Sequence, residues 1–551
     1  MGFRKKWLSY ALVGTLAVSS LGVMASQDAQ AKDNKGKNKE EVENVIMLVM
    51  DGSSDDLSTL ARWYKGEDLA LDRILTGGVK TYSAESAITD SAPAATALAT
   101  GNKSNSGYVG VLPSIVTTPG VKPVAEKDHF KPVANVLEGA KLDGKATGIV
   151  STSEIQHATP AGFSAHVAKR SNYDDIAEQQ VYQNMDVILG GGSDSLSKTR
   201  KDGENLLEVV EAKGYDYVTD RNELLKSKSK KLWGSFAPSA VAYDFDRATT
   251  KPEEPTIAEM TEKAINTLQK DKDGFFLMVE GSKIDWAAHA NDPIGMISDF
   301  LAFDDAVGEA LEFAEKDGNT MVIAVTDHGN SGITIGNKNT TSGYDTTPVK
   351  DYIEPLKEAK MTVEGALSLL KADRSNLLEV AALYGITNPS AAEIKALQET
   401  DTKKLGSIMV QLLSERANIG FTTGGHTGED VFLYSYGPAK PTGLVENTDL
   451  AHTMAKAMGF DLNQLSNKIF VNAEESFKKL GYTTSIDQTD SANPVFVAES
   501  KNKLVKIPEN KNIVIVENKN SGKSKTHELN TVTVYNDRQF FISEDALKLA
   551  K

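Results

Sequence analysis

Val45-Ile-Met-Leu-Val-Met50-Asp51-Gly52 is a continuous apolar run that ends at an acid and a glycine, and two later runs have the same form. Phe275-Phe-Leu-Met-Val279 ends at Glu280, and Met321-Val-Ile-Ala-Val-Thr326 ends at Asp327. Continuous apolar runs are typical of parallel strands that are buried on both faces. Because helical patterns separate these runs, the sequence predicts an α/β fold with a central, mostly parallel sheet flanked by helices.

The acids Asp51, Glu280 and Asp327 each follow one of these strands. Open α/β sheets bind their ligands beyond the carboxyl ends of the strands, so we expect the three carboxylates to meet there. Clustered carboxylates repel one another unless a positive charge lies between them. The pattern therefore predicts a cation site at this edge of the sheet.

Composition narrows the class of protein. The 551 residues include 60 Lys and Arg against 76 Asp and Glu, a formal net charge of −16. This balance argues against nucleic acid as the main partner, because a phosphate backbone needs a basic surface. Hydrophobic residues make up 40%, which excludes a wholly disordered chain. Cysteine is absent, so a metal ion must be held by His, Asp, Glu or hydroxyl groups.

The N-terminus has the pattern of a secretory signal peptide, residues 1–31. Arg4-Lys5-Lys6 precedes an apolar stretch, and Ala29-Gln30-Ala31 is a small-x-small cleavage motif. We expect a flexible leader at 32–43 and no membrane span in the mature chain. The expected location is secreted or extracellular, with association with the cell wall left open.

Two regions differ from the α/β pattern of residues 44–493. About 331–421 has few strand-like runs and several helical ones, which predicts a mostly helical insertion. Residues 494–551 contain short strand candidates between polar turns, which predicts a small β-rich C-terminal module. This module holds no candidate ligand, so we expect it to take no part in the chemistry.

Ser91 is a candidate nucleophile or anion-binding residue. The Ala-rich run from Ser91 to Gly101 predicts a helix, with Pro93 in its first turn and Gly101 as its C-cap. A helix N-terminus favours an anion. For a lone Ser, a simple capping role would be the better explanation, but the acidic strand ends favour a functional one.

Histidines lie in three contexts that suit metal ligands. Asp285 and His289 are spaced i, i+4 and share a helix face, and His328 follows a buried strand directly. His426 stands in the Gly-rich loop Gly424-Gly425-His426, where the backbone can approach closely. Each signal is weak alone, and together they predict a shared metal centre.

Taken together, these motifs resemble those of the alkaline phosphatase family, especially its secreted bacterial members. The matching segments, in family order, are Val49-Met-Asp51-Gly, Thr89-Asp-Ser91-Ala-Pro-Ala-Ala-Thr-Ala, Gln156-His-Ala-Thr159-Pro-Ala, Val279-Glu280-Gly with Ile284-Asp285 and His289, Thr326-Asp327-His328, Gly425-His426-Thr and Asn447-Thr-Asp449-Leu. The resemblance implies that residues 44–493 form a catalytic domain with two zinc sites and a third, usually magnesium, site. It assigns Asp285, His289 and His426 to the first zinc ion, Asp51, Asp327 and His328 to the second, and Asp51, Thr159 and Glu280 to the third ion.

The implied reaction is hydrolysis of small phosphate monoesters to an alcohol and phosphate through a phosphoserine on Ser91, with Arg170 binding the substrate phosphate. A phosphodiesterase or sulfatase-like hydrolase on the same metal core is one alternative, and a non-catalytic cell-surface binding protein is another. No Gly-x-Ser-x-Gly motif surrounds Ser91, which disfavours a metal-free serine hydrolase. The sequence leaves open the oligomeric state, including a homodimer, and a cell-wall contact of the terminal module.

Two positions depart from the best-known bacterial member of the family, which has Asp and Lys where this chain has His157 and Trp286. His157 is a candidate ligand of the third ion, and its nitrogen would favour Zn²⁺ or Co²⁺ over Mg²⁺. Trp286 replaces a cation near the expected phosphate position, so we predict weaker retention of phosphate there.

Overall fold

The structure, a computed structural model, describes residues 41–197 and 200–551. The predicted signal peptide and residues 32–40 of the predicted leader lie outside the described residues.

The strands are, in chain order, β1 (Asn44–Val49), β2 (Leu75–Lys80), β3 (Ala146–Glu154), β4 (Val187–Gly191), β5 (Asp216–Val218), β6 (Leu232–Ser235), β7 (Phe275–Glu280), β8 (Thr320–Val325), β9 (Gly329–Asn330), β10 (Thr334–Ile335), β11 (Ile419–Gly420), β12 (His426–Thr427), β13 (Val431–Tyr436), β14 (Gly443–Glu446), β15 (Val471–Asn472), β16 (Thr483–Asp487), β17 (Val495–Glu499), β18 (Lys503–Pro508), β19 (Ile513–Asn518), β20 (Lys523–Glu528), β21 (Val534–Asn536) and β22 (Gln539–Ile542).

The α-helices are α1 (Asp55–Lys65), α2 (Ser91–Thr100), α3 (Val136–Leu142), α4 (Ala158–Gly162), α5 (Tyr173–Gln183), α6 (Leu206–Ala212), α7 (Arg221–Lys226), α8 (Asp244–Thr250), α9 (Ile257–Leu268), α10 (Lys283–His289), α11 (Pro293–Asp317), α12 (Lys350–Lys357), α13 (Val363–Ser368), α14 (Leu377–Leu383), α15 (Ala391–Glu399), α16 (Leu405–Arg416), α17 (Asn447–Ala457), α18 (Leu462–Ile469), α19 (Ala473–Lys479) and α20 (Glu544–Ala550).

A large central sheet has the strand order β14-β2-β13-β8-β1-β7-β3-β4-β6-β5. Only β13 runs antiparallel to its neighbours in the described sheet. The predicted mostly parallel α/β sheet is therefore confirmed. The three strands with acidic ends are neighbours, because β1 pairs with β7 on one side and β8 on the other.

Strand β1 explains why the apolar runs are continuous. Its residues are all buried, and they alternate between two cores on opposite faces of the sheet. Ile46 and Leu48 join one core with helices α9 to α11, whereas Met47 and Val49 join the other with α2, α3 and α17. A strand covered by helices on both faces favours apolar residues throughout its interior, and polar residues stand at its ends.

The segment between β10 and β11 is helical, as predicted for the insertion. Helices α12 to α16 lie there, and the short strands β10 and β11 pair at its base. On α16, Leu405, Met409 and Leu413 are buried in the same core as Ile46. Tyr352 of α12, Ala366 of α13 and Val380 of α14 lie in that core as well, so the insertion packs onto the α/β body through several of its helices.

The C-terminal part is strand-rich and antiparallel, as predicted. Strands β16 to β20 form one sheet, and β15, β22 and β21 form another. The first of these sheets begins at Thr483, ahead of the predicted division at residue 494. Val534 and Phe541 belong to the same core as Met47, so the packing is continuous across that division.

Among the described residues, no helix combines the length and the apolar character needed to cross a membrane.

Candidate metal centre

The carboxylates predicted to meet at the sheet edge do so. Asp51 follows β1, Glu280 ends β7 and Asp327 follows β8, and all three are buried. The backbone N–H of Gly52 donates to Asp327 Oδ1 over 3.2 Å. Gly52 has φ +69°, and a Cβ there would lie 2.4 Å from an oxygen of Asp285, so only glycine fits this close approach.

The first group of ligand atoms comprises Asp285, His289 and His426, which lie within 4.8 Å of one another. Helix α10 carries Asp285 and His289, and β12 places His426 by pairing with Asn330 of β9. His289 Nδ1 lies 2.9 Å from the Gly424 carbonyl, and His426 Nδ1 lies 2.8 Å from the Thr89 carbonyl.

These carbonyl contacts fix the tautomer that each ring has when it is neutral. A carbonyl only accepts, so each Nδ1 carries a proton, and the Nε2 of the neutral ring has the lone pair. The two Nε2 atoms of His289 and His426 nevertheless face each other at 3.2 Å. Asp285 also directs its carboxylate at both, 3.4 Å from His289 Nε2 and 3.7 Å from that of His426. This convergence of acceptors is the arrangement that a cation would satisfy.

The second group comprises Asp51, Asp327 and His328. His328 Nδ1 lies 3.2 Å from the Gly329 carbonyl, so by the same argument its Nε2 offers a lone pair. That Nε2 lies 3.3 Å from Asp327 Oδ2 and 3.6 Å from Asp51 Oδ1. Burial, together with the positive charge that His426 can carry, lowers the pKa of His328 to about 3, which keeps the ring neutral.

Ser91 lies against this second group, with its Oγ 3.2 Å from His328 Nε2. It is the first residue of α2, and Gly101 ends that helix in the left-handed conformation, as predicted. The N-cap is Asp90, whose carboxylate accepts from the Ala92 N–H. Capping therefore does not use the Ser91 hydroxyl, and the purely structural interpretation of Ser91 loses its support.

The third group comprises Asp51, Glu280 and His157. His157 is the N-cap residue of α4, and Thr159 lies two residues further on, in the first turn of that helix. Thr159 Oγ1, Glu280 Oε1 and both carboxylate oxygens of Asp51 are buried without a hydrogen-bond partner in the described part of the chain. Unpartnered buried oxygens of this kind are costly, and a bound cation would satisfy them together.

The protonation of these acids points to the same conclusion. Burial and the neighbouring carboxylates of Asp327, Asp285 and Glu280 raise the pKa of Asp51 well above its usual range. Burial also raises the pKa of Asp327 and raises that of Glu280 to about 7. The described side chains alone do not neutralise the cluster, so the donor set fits metal ions.

Arg170 joins the site through two partners. Its guanidinium donates to Asp90 Oδ1 at 2.5 Å and to His157 Nε2 at 2.9 Å. Asp90 therefore caps the helix of Ser91 and also holds the arginine, a link that sequence reasoning missed. The signal was present, because an Asp directly before a predicted helix is a strong N-cap candidate.

His157 and Trp286 are neighbours in the structure. Their rings meet edge to face with centroids 5.8 Å apart, and the Lys283 ammonium lies 4.7 Å from the Trp286 ring. Burial and the charge of Arg170 lower the pKa of His157 to about 3, so its ring is neutral and has one lone pair. In this structure Arg170 takes that lone pair, and His157 Nδ1 has no partner within the described residues.

A sequence model of the alkaline phosphatase family matches residues 42–460. Among curated proteins, alkaline phosphatase 3 of Bacillus subtilis is 36% identical over 484 residues, covering 84% of this chain and 98% of its own length. The solved cold-active alkaline phosphatase of Shewanella sp. has a TM-score of 0.67 and 27% identity, covering 75% of this chain and 99% of its own. A histidine-to-glutamate variant of the TAB5 alkaline phosphatase, solved with Mg in its M3 site, has a TM-score of 0.55 and 26% identity, covering 76% and 99%.

Proposed function

The chain belongs to the alkaline phosphatase family and is a phosphoric monoester hydrolase, and from that premise we propose that Ser91 attacks the substrate phosphorus and carries the phosphoryl group. The observation that supports this assignment most directly is the position of Ser91. Its Oγ lies at the N-terminus of α2, 3.2 Å from the Nε2 of His328, a neutral ring that belongs to the second group. Helix N–H groups there would stabilise the phosphoryl charge.

Arg170 is proposed to hold two non-bridging oxygens of the phosphate. A guanidinium matches the geometry of a phosphate with two parallel N–H donors. Asp90 holds one nitrogen of the Arg170 guanidinium in place. The contact between the guanidinium and His157 would be replaced by contacts with the phosphate oxygens of the substrate. After the alcohol leaves, water would attack the phosphoserine and release phosphate, which restores the Ser91 hydroxyl.

The family is metal-dependent, and we propose two Zn²⁺ ions and a third ion. Mixed imidazole and carboxylate groups suit zinc, so Asp285, His289 and His426 would hold one ion and Asp51, Asp327 and His328 the other. Bound metal would stabilise the charge on the attacking and leaving oxygens.

Asp51, Thr159 and Glu280 offer only oxygen donors, which suits Mg²⁺ at the third site. The magnesium in the TAB5 variant supports such a site. His157 would add a nitrogen and favour Zn²⁺ or Co²⁺ there. Trp286 would line the phosphate side of the site through its contact with His157.

We further propose secretion through the signal peptide at 1–31, assembly as a homodimer and a cell-wall contact of residues 494–551. A phosphodiesterase or sulfatase-like activity on the same core is the second candidate. Arg170 favours a monoester, because a guanidinium fork needs two free phosphate oxygens.

The test compares nitrophenyl phosphate with its diester in the metal-loaded enzyme. We expect the monoester to be strongly preferred and chelation to abolish turnover, with zinc plus magnesium restoring it. Acid trapping with labelled phosphate should label Ser91. Ser91→Ala should lose orders of magnitude in turnover while retaining its metal content, and Ser543→Ala serves as a control outside the site. Label on another residue would refute the assignment.

A further inference from the structure

A cavity of about 630 Å³ opens beside the first group of ligand atoms. One of its walls is His289, which also belongs to that group, so the cavity and the metal centre are contiguous. Its opposite wall comes from the helical insertion, mainly α16, and from the segment around β11. The volume lies in the range of small-molecule sites.

The cavity lies on the side where the leaving alcohol must be. Ser91 contacts His328 of the second group, whereas His289 belongs to the first. An in-line displacement places the attacking and leaving oxygens on opposite sides of the phosphorus. With Ser91 as nucleophile, which rests on the proposed function, the alcohol part of the substrate extends from the first group into this cavity.

The lining of the cavity combines polar and apolar groups and carries little net charge. Its one Lys and one Glu, Lys338 and Glu415, lie 3.9 Å from each other and balance. The remaining polar lining side chains are mostly neutral amides and hydroxyls, joined by apolar Val410, Ile419 and Phe421. A surface of this kind matches an uncharged ligand that has both hydroxyl groups and an apolar face.

Two of the lining residues each have a side-chain oxygen without a protein partner. Asn291 Oδ1 and Ser414 Oγ are buried and make no hydrogen bond within the described residues. Leaving a buried polar atom unpaired is unfavourable, and a rotation of either side chain towards the cavity would let a ligand hydroxyl remove that cost. Asn291 also has φ +54°, in the left-handed region, which asparagine tolerates better than most residues.

We propose that this cavity is the subsite for the leaving alcohol and that it selects monoesters of neutral, hydroxyl-rich alcohols, such as sugar phosphates. The insertion thus contributes specificity to the reaction, and the groups that perform the chemistry lie outside it.

Two substrates of similar shape test the proposal: glucose 6-phosphate and cyclohexylmethyl phosphate. Both are primary alkyl esters on a six-membered ring, and only the first has ring hydroxyls. For the metal-loaded wild type we expect kcat/KM to favour glucose 6-phosphate by about tenfold or more, the effect of one or two hydrogen bonds. Equal values, or preference for the cyclohexyl ester, would overturn the proposal.

Variants of the lining residues test whether the substrate preference arises in this cavity. Ser407 is an exposed lining residue on α16, so Ser407→Trp fills the cavity without disturbing a core. It should lower kcat/KM for glucose 6-phosphate about tenfold and leave methyl phosphate turnover and inhibition by inorganic phosphate unchanged. Asn291→Gly suits the positive φ and should reduce the preference for the hydroxylated ester.

Ala392→Trp is the matched control, because Ala392 is exposed on α15 of the same insertion and does not line the cavity. Equal effects of Ser407→Trp and Ala392→Trp on both ring substrates would refute the subsite. Failure of the proposed function is distinct, because it would appear as absence of methyl phosphate turnover or of label on Ser91 in the wild type.

Discussion

The pair His166 and Glu138 offers a sharp test of the electrostatics of the fold. His166 Nε2 lies 3.0 Å from Glu138 Oε1, and its Nδ1 lies 2.8 Å from the Gly110 carbonyl. Both ring nitrogens thus face acceptors, which the imidazolium alone can satisfy. The side chains are 0% and 2% exposed. Despite burial, the contacts with Glu138 raise the pKa of His166 above 6.5, and those with His166 lower the pKa of Glu138 below 4.5.

The perturbation is Glu138→Gln, which keeps the shape and removes the charge. Breaking a buried ion pair by neutralising one partner costs about 3–5 kcal/mol. The entropy of unfolding is about 2.1 cal/mol/K per residue, or roughly 1.1 kcal/mol/K for about 500 residues, so the melting temperature should fall by about 3–5 °C.

The sign of the pH dependence follows from the two shifts. The contribution of His166 is fully present below pH 6.5 and is lost as the pH rises through its raised pKa. The contribution of Glu138 is present above pH 4.5 and is lost as the pH falls through its lowered pKa. The variant should therefore differ most from the wild type between these values and least in strong alkali.

The assay is thermal unfolding of both proteins at several pH values, with metal ions at fixed excess because bound ions also stabilise. Asp292→Asn is the matched control, since Asp292 is a buried carboxylate that accepts from Tyr384 and has a raised pKa. A difference in melting temperature of equal size at pH 6 and in strong alkali would show that His166 is neutral, and the argument would fail.

Three further outcomes are expected. Asp90→Ala should release Arg170 and raise both KM and the phosphate inhibition constant, roughly tenfold for a charged hydrogen bond; unchanged inhibition would contradict this role. His157→Asp should increase the dependence of activity on magnesium in metal titrations, and an unchanged magnesium response would indicate that the imidazole merely fills space. Phe541→Ala should cost about 3–5 kcal/mol of stability, measured by thermal unfolding, because the ring is 3% exposed in the core that also contains Met47. Leu444→Ala, at a 58% exposed position, should cost little and serves as its control.

The strands and the acidic residues of the centre were accessible from sequence for a simple reason. A strand such as β1 is buried on both faces, so the first polar residue after it, Asp51, marks where the strand ends. The same residue is a candidate metal ligand, so the pattern that locates the strand end also locates the site. The i, i+4 spacing of Asp285 and His289 likewise survives in α10, because helix geometry is local.

Features that depend on distant contacts were not accessible in the same way. Asp90 both caps α2 and binds Arg170, and the second of these roles depends on a contact between residues that are 80 positions apart in the sequence. The cavity beside His289 needs α16 to fold back over it, and no periodicity in the insertion predicts that wall. The continuity of the core across residue 494 also depends on packing that alternating strand patterns do not encode.

The continuity of the core across residue 494 affects the order in which the chain can be synthesised and folded. Val45 and Phe541 belong to one core, so the core that contains the first strand is complete only after translation has reached residue 541. A nascent chain meanwhile exposes apolar strands whose partners have not been made, a state prone to aggregation and to chaperone binding. With no cysteine, disulfide cross-links cannot hold such intermediates together. A message truncated late in its reading frame would therefore yield a chain with every proposed metal ligand and an open core, a substrate for quality-control proteases.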